Sequence, residues 1–399
     1  DSSTARGLGD VYKRQNYGCY GGKYTEREKQ RSMKRIGIVT FFQSYNYGVW
    51  FQAYATQAFL RGRGYDAQIV NYSNLHDDEK LKMAFKGKNS YMGYLISFAK
   101  NILFGGMHYY RKGFKKHLNT FYSLSSEHCT QIENLSDLHY DVLVAGSDQI
   151  WNPETTGGTL DPVFLLQFGI ADKRISYASS IGSTEIREQD KALMKKALEE
   201  FSYISVRETF AKQQLEKIMN RNINVVCDPT FLLTGEEWRL FAKQYSDYLV
   251  NDQKYILTYF VSLEKYSEHC INLVKTYSES LGLPVWAVQF TRYYSKNCDK
   301  KILGASIADM IRLIEHAELI ITDSFHGVAL SVNLGKNFVA VENRGNPYRT
   351  RNLLSRLNLL DRIDMDIENY SKVDYSNVTV LLNDFRKESV DWFCEAIEN

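Results

Sequence analysis

Leu319 to Leu330 reads LIITDSFHGVAL. An apolar run of strand composition, Leu319 to Thr322, ends in Asp323, Ser324 and His326. Gly327 then opens a segment in which Val328, Leu330, Val332 and Leu334 are spaced for a packed helix. Strand, tight turn and helix form the repeating unit of a parallel α/β sheet. In open sheets of this kind ligands lie beyond the carboxyl ends of the strands, where the free N–H groups of the next helix favour anions. His326 therefore stands where a proton-transferring group is useful. The same position also suits a hydrogen-bonded core histidine beside a packing glycine, and the fragment alone leaves both readings open.

Working outward from this unit, the same alternation fills the chain from Met33 onward. Strand patterns at Arg35–Phe42, Ala67–Tyr72, Asp141–Ala145, Arg174–Ile181, Tyr203–Val206 and Ile223–Cys227 are separated by helical spacing. A second series runs through Tyr255–Val261, Val285–Phe290, Leu319–Thr322 and Asn337–Val341. Thr234 with Glu237, and Ser306 with Asp309, read as capping boxes that start helices. The expectation is an α/β protein with two Rossmann-like domains facing a cleft. The N-terminal domain spans 33–235 with a helical, Lys-rich insertion at 77–138, the C-terminal domain spans 236–375, and a C-terminal helix spans 376–399. Residues 1–32 lack apolar periodicity, and Asp10–Gln15 (DVYKRQ) resembles a translated transposon adapter, so a non-native or disordered leader is expected there.

Composition narrows the function. With 399 residues, 44% hydrophobic and 24% charged, the chain can bury two cores. Its 49 basic and 47 acidic side chains nearly cancel, so it lacks the global field of a nucleic-acid binder. The six cysteines are scattered without C-x-x-C or His-cluster spacing, which predicts no metal site and suits reduced thiols in a cytoplasmic protein. No apolar stretch reaches the roughly 18–20 residues of a membrane-spanning helix. Tyr91–Gly106 comes nearest, and it reads as a helix packed on its own domain or lying on a membrane surface.

Further segments place polar residues at strand ends. Asn46-Tyr47-Gly48 precedes a helix, where Asn46 can cap and Gly48 can admit a ligand to the free N–H groups. Gly146 to Pro153, GSDQIWNP, sets Ser147 and Asp148 at a strand end suited to a hydroxyl-rich ligand, with Trp151 as a stacking face or a buried core residue. Arg207 emerges after the strand YISV; its guanidinium suits a carboxylate or phosphate, or a salt bridge to Glu208 or to an interdomain aspartate. Past the opening motif, Lys336, Arg344, Arg349 and Arg351 could line the rim of the same cleft.

Taken in order, NYGVWFQAYATQAFLRGRGYDAQIVNY, DVLVAGSDQIWNP, ISYASSIG, YISVRE, VVCDPTFLL and LIITDSFHGVALSVNLGKNFVAV resemble the polysaccharide pyruvyl transferase family from Met33 to about Leu360. The resemblance implies a fold like that of the GT-B glycosyltransferases with the active site in the cleft. It implies transfer of the pyruvyl group of phosphoenolpyruvate to sugar hydroxyls, usually as a cyclic ketal, with no cofactor and no required metal. His326 then corresponds to the family's catalytic histidine and Arg207 to its anion-binding arginine. Ser324, Gly327, Asn46, Gly48, Ser147, Asp148, Lys336, Arg344 and Arg349 are the remaining substrate-binding candidates, Asn46 and Asp148 on the acceptor side. Expected partners are phosphoenolpyruvate and a glycan or lipid-linked sugar, in the cytoplasm at the inner face of the membrane. Some family members carry an arginine where this chain has Ser324, which supplies no charge. The competing readings are a glycosyltransferase of the same fold using a sugar nucleotide, and a catalytically silent glycan-binding protein.

Overall fold

The computed structural model describes residues 34–44, 46–74, 76, 118–125, 128–182, 184–248, 252–261, 267–288, 298–342 and 347–399. The expected leader, most of the expected insertion including Tyr91–Gly106, and Arg344 lie outside them. The first domain is a six-stranded sheet formed by β1 (Arg35–Val39), β2 (Asp66–Ile69), β3 (His139–Ala145), β4 (Ile170–Ser179), β5 (Tyr203–Val206) and β6 (Asn224–Val225). The strands are parallel and ordered β2-β1-β3-β4-β5-β6. The second domain is a five-stranded parallel sheet of β7 (Ile256–Tyr259), β8 (Val285–Val288), β9 (Lys300–Ile302), β10 (Leu319–Thr322) and β11 (Phe338–Ala340). Its order is β11-β10-β7-β8-β9. Both are doubly wound Rossmann-like sheets, the α/β class expected. Strand β9 escaped the sequence reading because its three residues, Lys300-Lys301-Ile302, carry only one apolar side chain.

Strand order singles out two positions. The winding reverses between β1 and β3 in the first sheet and between β7 and β10 in the second, and crevices open at such switch points. GSDQIWNP follows β3 and TDSFHG follows β10, so both motifs sit where their sheet parts.

Helix α1 (Tyr47–Gly62) is buried on nearly every side, because it lies between the domains rather than on one of them. The Tyr47 hydroxyl donates to the Ala305 carbonyl at 2.8 Å, and the Phe51 and Tyr54 rings pack on Trp238. Trp238 belongs to α4 (Gly235–Tyr245), the last helix before β7. A single apolar cluster thus runs from Ile36 and Val144 of the first sheet through α1 to Leu257 and Ile320 of the second. The helices α2 (Glu188–Leu198) and α3 (Thr209–Ile218) cover the first sheet, and α5 (Ser267–Leu281), α6 (Ile307–His316), α7 (Phe325–Asn333) and α8 (Pro347–Arg356) belong to the second domain. The capping boxes at Thr234–Glu237 and Ser306–Asp309 are both formed.

The final helix, α9 (Tyr375–Glu398), returns to the first domain. The Phe393 ring stacks on Tyr177 at 4.2 Å, and its last carbonyls accept from Lys173 and Lys34, each 3.1 Å from the Ile397 oxygen. Arg386 of the same helix donates to the Phe231 carbonyl at 2.7 Å and to Asn333 Oδ1 at 2.9 Å, joining both domains. Among the described residues, no helix is long and apolar enough to cross a membrane.

Candidate active site

Helix α7 starts at the carboxyl end of β10 because Ser324 caps it: the Ser324 hydroxyl accepts from the Gly327 N–H at 3.3 Å. The hydroxyl expected to meet a ligand thus accepts in the helix cap. Gly327 is there for space, since a Cβ would come within 2.6 Å of Thr322 Oγ1. Asp323 is also structural, accepting from the Val261 N–H at 2.7 Å. The turn so fixed directs His326 across the domain boundary.

His326 is buried, with Nε2 3.6 Å from Asp228 Oδ2. Its ring lies against Gly48 at the start of α1, where a Cβ would sit 2.1 Å from Nδ1. The missing side chain at Gly48 therefore makes room for the imidazole. Asn46 is likewise engaged: its Oδ1 caps α1 through the Gly48 N–H at 2.9 Å and accepts from the Tyr259 hydroxyl at 3.2 Å.

Asp228 is the centre of the arrangement, and it was not singled out from the sequence. It follows β6, and its Oδ1 accepts from the Thr230 N–H at 3.0 Å and the Thr230 hydroxyl at 2.8 Å. Its Oδ2 accepts from Arg207 Nη1 at 2.8 Å and, more distantly, from the Ser147 hydroxyl at 3.5 Å. Burial alone would raise this carboxyl, but His326 and Arg207 outweigh it and hold Asp228 well below the usual carboxylate range. The one signal in the sequence was an Asp-Pro pair closing a strand, which reads as an ordinary strand breaker.

Arg207 emerges from β5 as expected. It is buried, and Nε lies 3.4 Å from Glu208 Oε2 while Nη2 is 3.9 Å from Asp148 Oδ1. Burial opposes its charge, but the carboxylates of Glu208, Asp228 and Asp148 raise its pKa. Glu208 moves opposite to Asp228: burial raises it, against Arg207 and the hydrogen bond from Ser180. The two carboxyls flanking one arginine are thus pulled in opposite directions. Ser147 is wholly buried, its N–H donating to Gln52 Oε1 at 3.2 Å and its hydroxyl to the Ala178 carbonyl at 3.1 Å. Trp151 is a core residue whose Nε1 donates to the Phe164 carbonyl at 3.0 Å, so the buried reading of that ring holds.

Arg349, from α8, completes the group. Its guanidinium carbon is 5.8 Å from the centre of the Phe325 ring, and that of Arg207 is 5.0 Å from the same ring. Burial and the neighbouring Arg207 lower the Arg349 pKa, although an arginine stays charged. Three buried nitrogens here have no hydrogen-bond partner among the described residues: Arg207 Nη2, Arg349 Nε and His326 Nε2. Buried donors without partners are rare and point to a missing acceptor.

Two grouped candidates do not join this site. Lys336 lies beyond the opposite end of α7, which runs about 10 Å from His326 to Asn333. Burial lowers its pKa, and its charged neighbours are Glu318, Glu315, Arg239 and Lys372. Arg351 pairs with Glu342 in an exposed bridge. Among the described residues, no group of His, Cys, Asp or Glu side chains could hold a metal ion.

A sequence model described as polysaccharide pyruvyl transferase matches residues 46–345. No protein with a curated description matches the chain. Among solved structures, a UDP-GlcNAc 2-epimerase from Methanocaldococcus jannaschii is 13% identical, with a TM-score of 0.41, covering 90% of this chain and 92% of its own. A glycosyltransferase from Rickettsia africae is 14% identical with a TM-score of 0.43, covering 92% of this chain and 100% of its own. The E. coli heptosyltransferase WaaC with ADP is 11% identical, with a TM-score of 0.39, covering 79% and 89%.

Proposed function

Because the chain belongs to the polysaccharide pyruvyl transferase family, we propose that it transfers the pyruvyl unit of phosphoenolpyruvate to hydroxyls of a sugar in a cell-surface glycan precursor. The precursor in this reading is a lipid-linked or nucleotide-linked glycan, met in the cytoplasm at the inner face of the membrane. The observation that carries the proposal is the set of buried nitrogens on Arg207, Arg349 and His326 without a hydrogen-bond partner among the described residues. Phosphoenolpyruvate is a compact anion with a phosphate and a carboxylate, and two guanidiniums over one aromatic ring suit both groups. The guanidiniums of Arg207 and Arg349, grouped over the Phe325 ring, are the positive groups in this reading, without an arginine at Ser324.

The chemistry assigns each group a task. His326 delivers a proton to the enol methylene carbon, and an acceptor hydroxyl attacks the adjacent carbon and gives up its proton. Phosphate departs with the electron pair of the carbon–oxygen bond and takes up that proton. A second hydroxyl then closes the ketal, and its proton returns to the imidazole. Asp228 beside His326 stabilises the imidazolium before transfer and holds Arg207 in place.

Calorimetry with phosphoenolpyruvate tests the reading, on wild type and on Arg349→Gln. The expected result is binding in wild type and a loss on the order of tenfold to a hundredfold in the variant, as for a hydrogen-bonded charge contact. Absence of binding to wild type, with or without a glycan acceptor present, would overturn the donor assignment and favour a sugar-nucleotide donor.

A further inference from the structure

Outward from Glu208 the interdomain cleft opens into a cavity of about 400 Å³, between the start of α3 and α8. Its walls include Phe210 and Gln213 on α3 and Tyr348 and Asn352 on α8. The Phe210 and Tyr348 rings are stacked, with centroids 4.9 Å apart and planes within 4°. Thr209 Oγ1 donates to Asn352 Oδ1 at 2.8 Å, so each domain supplies one aromatic and one polar group to the same wall. Tyr348 nevertheless remains 46% exposed, an open ring at the mouth of a cleft.

The cavity differs in charge from the pocket behind it. Of its two ionisable residues, Glu208 is paired with Arg207 and Arg351 with Glu342. What remains is aromatic and amide surface without net charge, poorly suited to a phosphate and well suited to hydroxyls and the C–H face of a sugar ring. Its volume falls near the lower end of the roughly 300–1,000 Å³ typical of small-molecule sites, the scale of a mono- or disaccharide. Glu208 lines the inner end and touches Arg207, so a hydroxyl of a ligand here faces the anion pocket.

We propose that this cleft is the subsite for the acceptor's sugar, with Tyr348 as its stacking face and Gln213 and Asn352 as its hydroxyl partners. The proposal rests on the pyruvyl-transfer reading and moves the acceptor away from Asn46, whose side-chain oxygen is taken up by Gly48 and Tyr259. Gln213 and Tyr348 are exposed, so their replacement leaves the core intact.

The test is saturation-transfer NMR with a panel of methyl and p-nitrophenyl monosaccharide glycosides and lactose. It uses wild type, Tyr348→Ala and Gln213→Ala, each also titrated with phosphoenolpyruvate. At least one glycoside is expected to bind wild type and to weaken roughly tenfold in Tyr348→Ala, the size of one aromatic contact. Glycoside binding indifferent to both substitutions, or no glycoside binding at tens of millimolar, would overturn the subsite even where phosphoenolpyruvate binds. Glycoside binding that depends on Tyr348, in a protein that ignores phosphoenolpyruvate, would uphold the subsite and remove the pyruvyl-transfer reading instead.

Discussion

At the carboxyl end of the first sheet, Asp228, Ser147, Gln52 and Glu208 have their side-chain polar atoms engaged by neighbours in the same domain. At the carboxyl end of the second, His326 Nε2 and Arg349 Nε have no hydrogen-bond partner among the described residues. Beside these four residues, Arg207 Nη2 has no hydrogen-bond partner among the described residues. The second offers open donors on the starts of α7 and α8. A satisfied network fixes charge in place, and open donors await an acceptor. On the proposed function, positioning falls to the first domain and proton transfer to the second, with Asp228 Oδ2 beside both Arg207 and His326.

The hardest test of that division is Asp228→Ala. Removing this carboxylate leaves Arg207 without its shortest ion pair and His326 without its counter-charge. The expected outcome is a stability loss of about 3–5 kcal/mol in urea unfolding together with lost turnover. A variant as stable as wild type would show that the first domain's network is not what holds the site.

His326→Ala should separate the two domains' roles most sharply. Turnover is expected to fall by roughly 10²–10⁴ while unfolding free energy changes by only about 1–2 kcal/mol, because no hydrogen bond to Nε2 is lost. A larger stability loss with modest kinetic change would make it a core histidine. Gly48→Ala should act more gently, since a methyl at that position must push the imidazole aside. A kcat loss of roughly tenfold to a hundredfold, with near-native phosphoenolpyruvate affinity by calorimetry, is expected.

The smallest effect is in acid, where the carboxyls beside Arg207 pull apart. Asp228 has a depressed folded pKa, so its stabilisation is present above its unfolded value near ~4 and is lost as pH falls further. Glu208 has a raised folded pKa, so its favourable contribution is complete below its unfolded value and is lost as pH rises through the folded one. Urea unfolding between neutral and acid pH should therefore show a flatter acid decline in Asp228→Asn and a steeper one in Glu208→Gln. Parallel curves for both variants would remove the opposition.

Local signals made most of the scaffold legible. Apolar periodicity revealed the long alternation, the capping boxes at Thr234 and Ser306 were correctly read, and the end of β10 was identified as the place for His326. Arg207 was visible because a lone guanidinium at a strand end is unusual. What escaped depends on contacts between distant segments. Asp228 and His326 are far apart in the chain and meet only when the domains face each other, and nothing beside Asp228 announces the encounter. Gly48 looked like an opening for a ligand because the ring that fills its space comes from the other domain. Lys336 seemed to belong with His326 because sequence proximity was taken for spatial proximity, whereas the length of α7 separates them. The terminal helix was legible as a helix but not as a return to the first domain, which rests on Phe393 meeting Tyr177 and Phe59.

That return has a mechanical consequence. The chain enters the second domain before α4, whose Arg239 and Ser246 bond to Leu334 and Asp309, and returns along α9, from Tyr375 on Lys336 to Phe393 on Tyr177, so the two halves are joined by two covalent straps. One strap is a swivel and permits rotation about many axes, whereas two separated straps define a single line about which the halves can turn. His326 and Asp228 stand on opposite halves, so the 3.6 Å between them is held from both sides of that line.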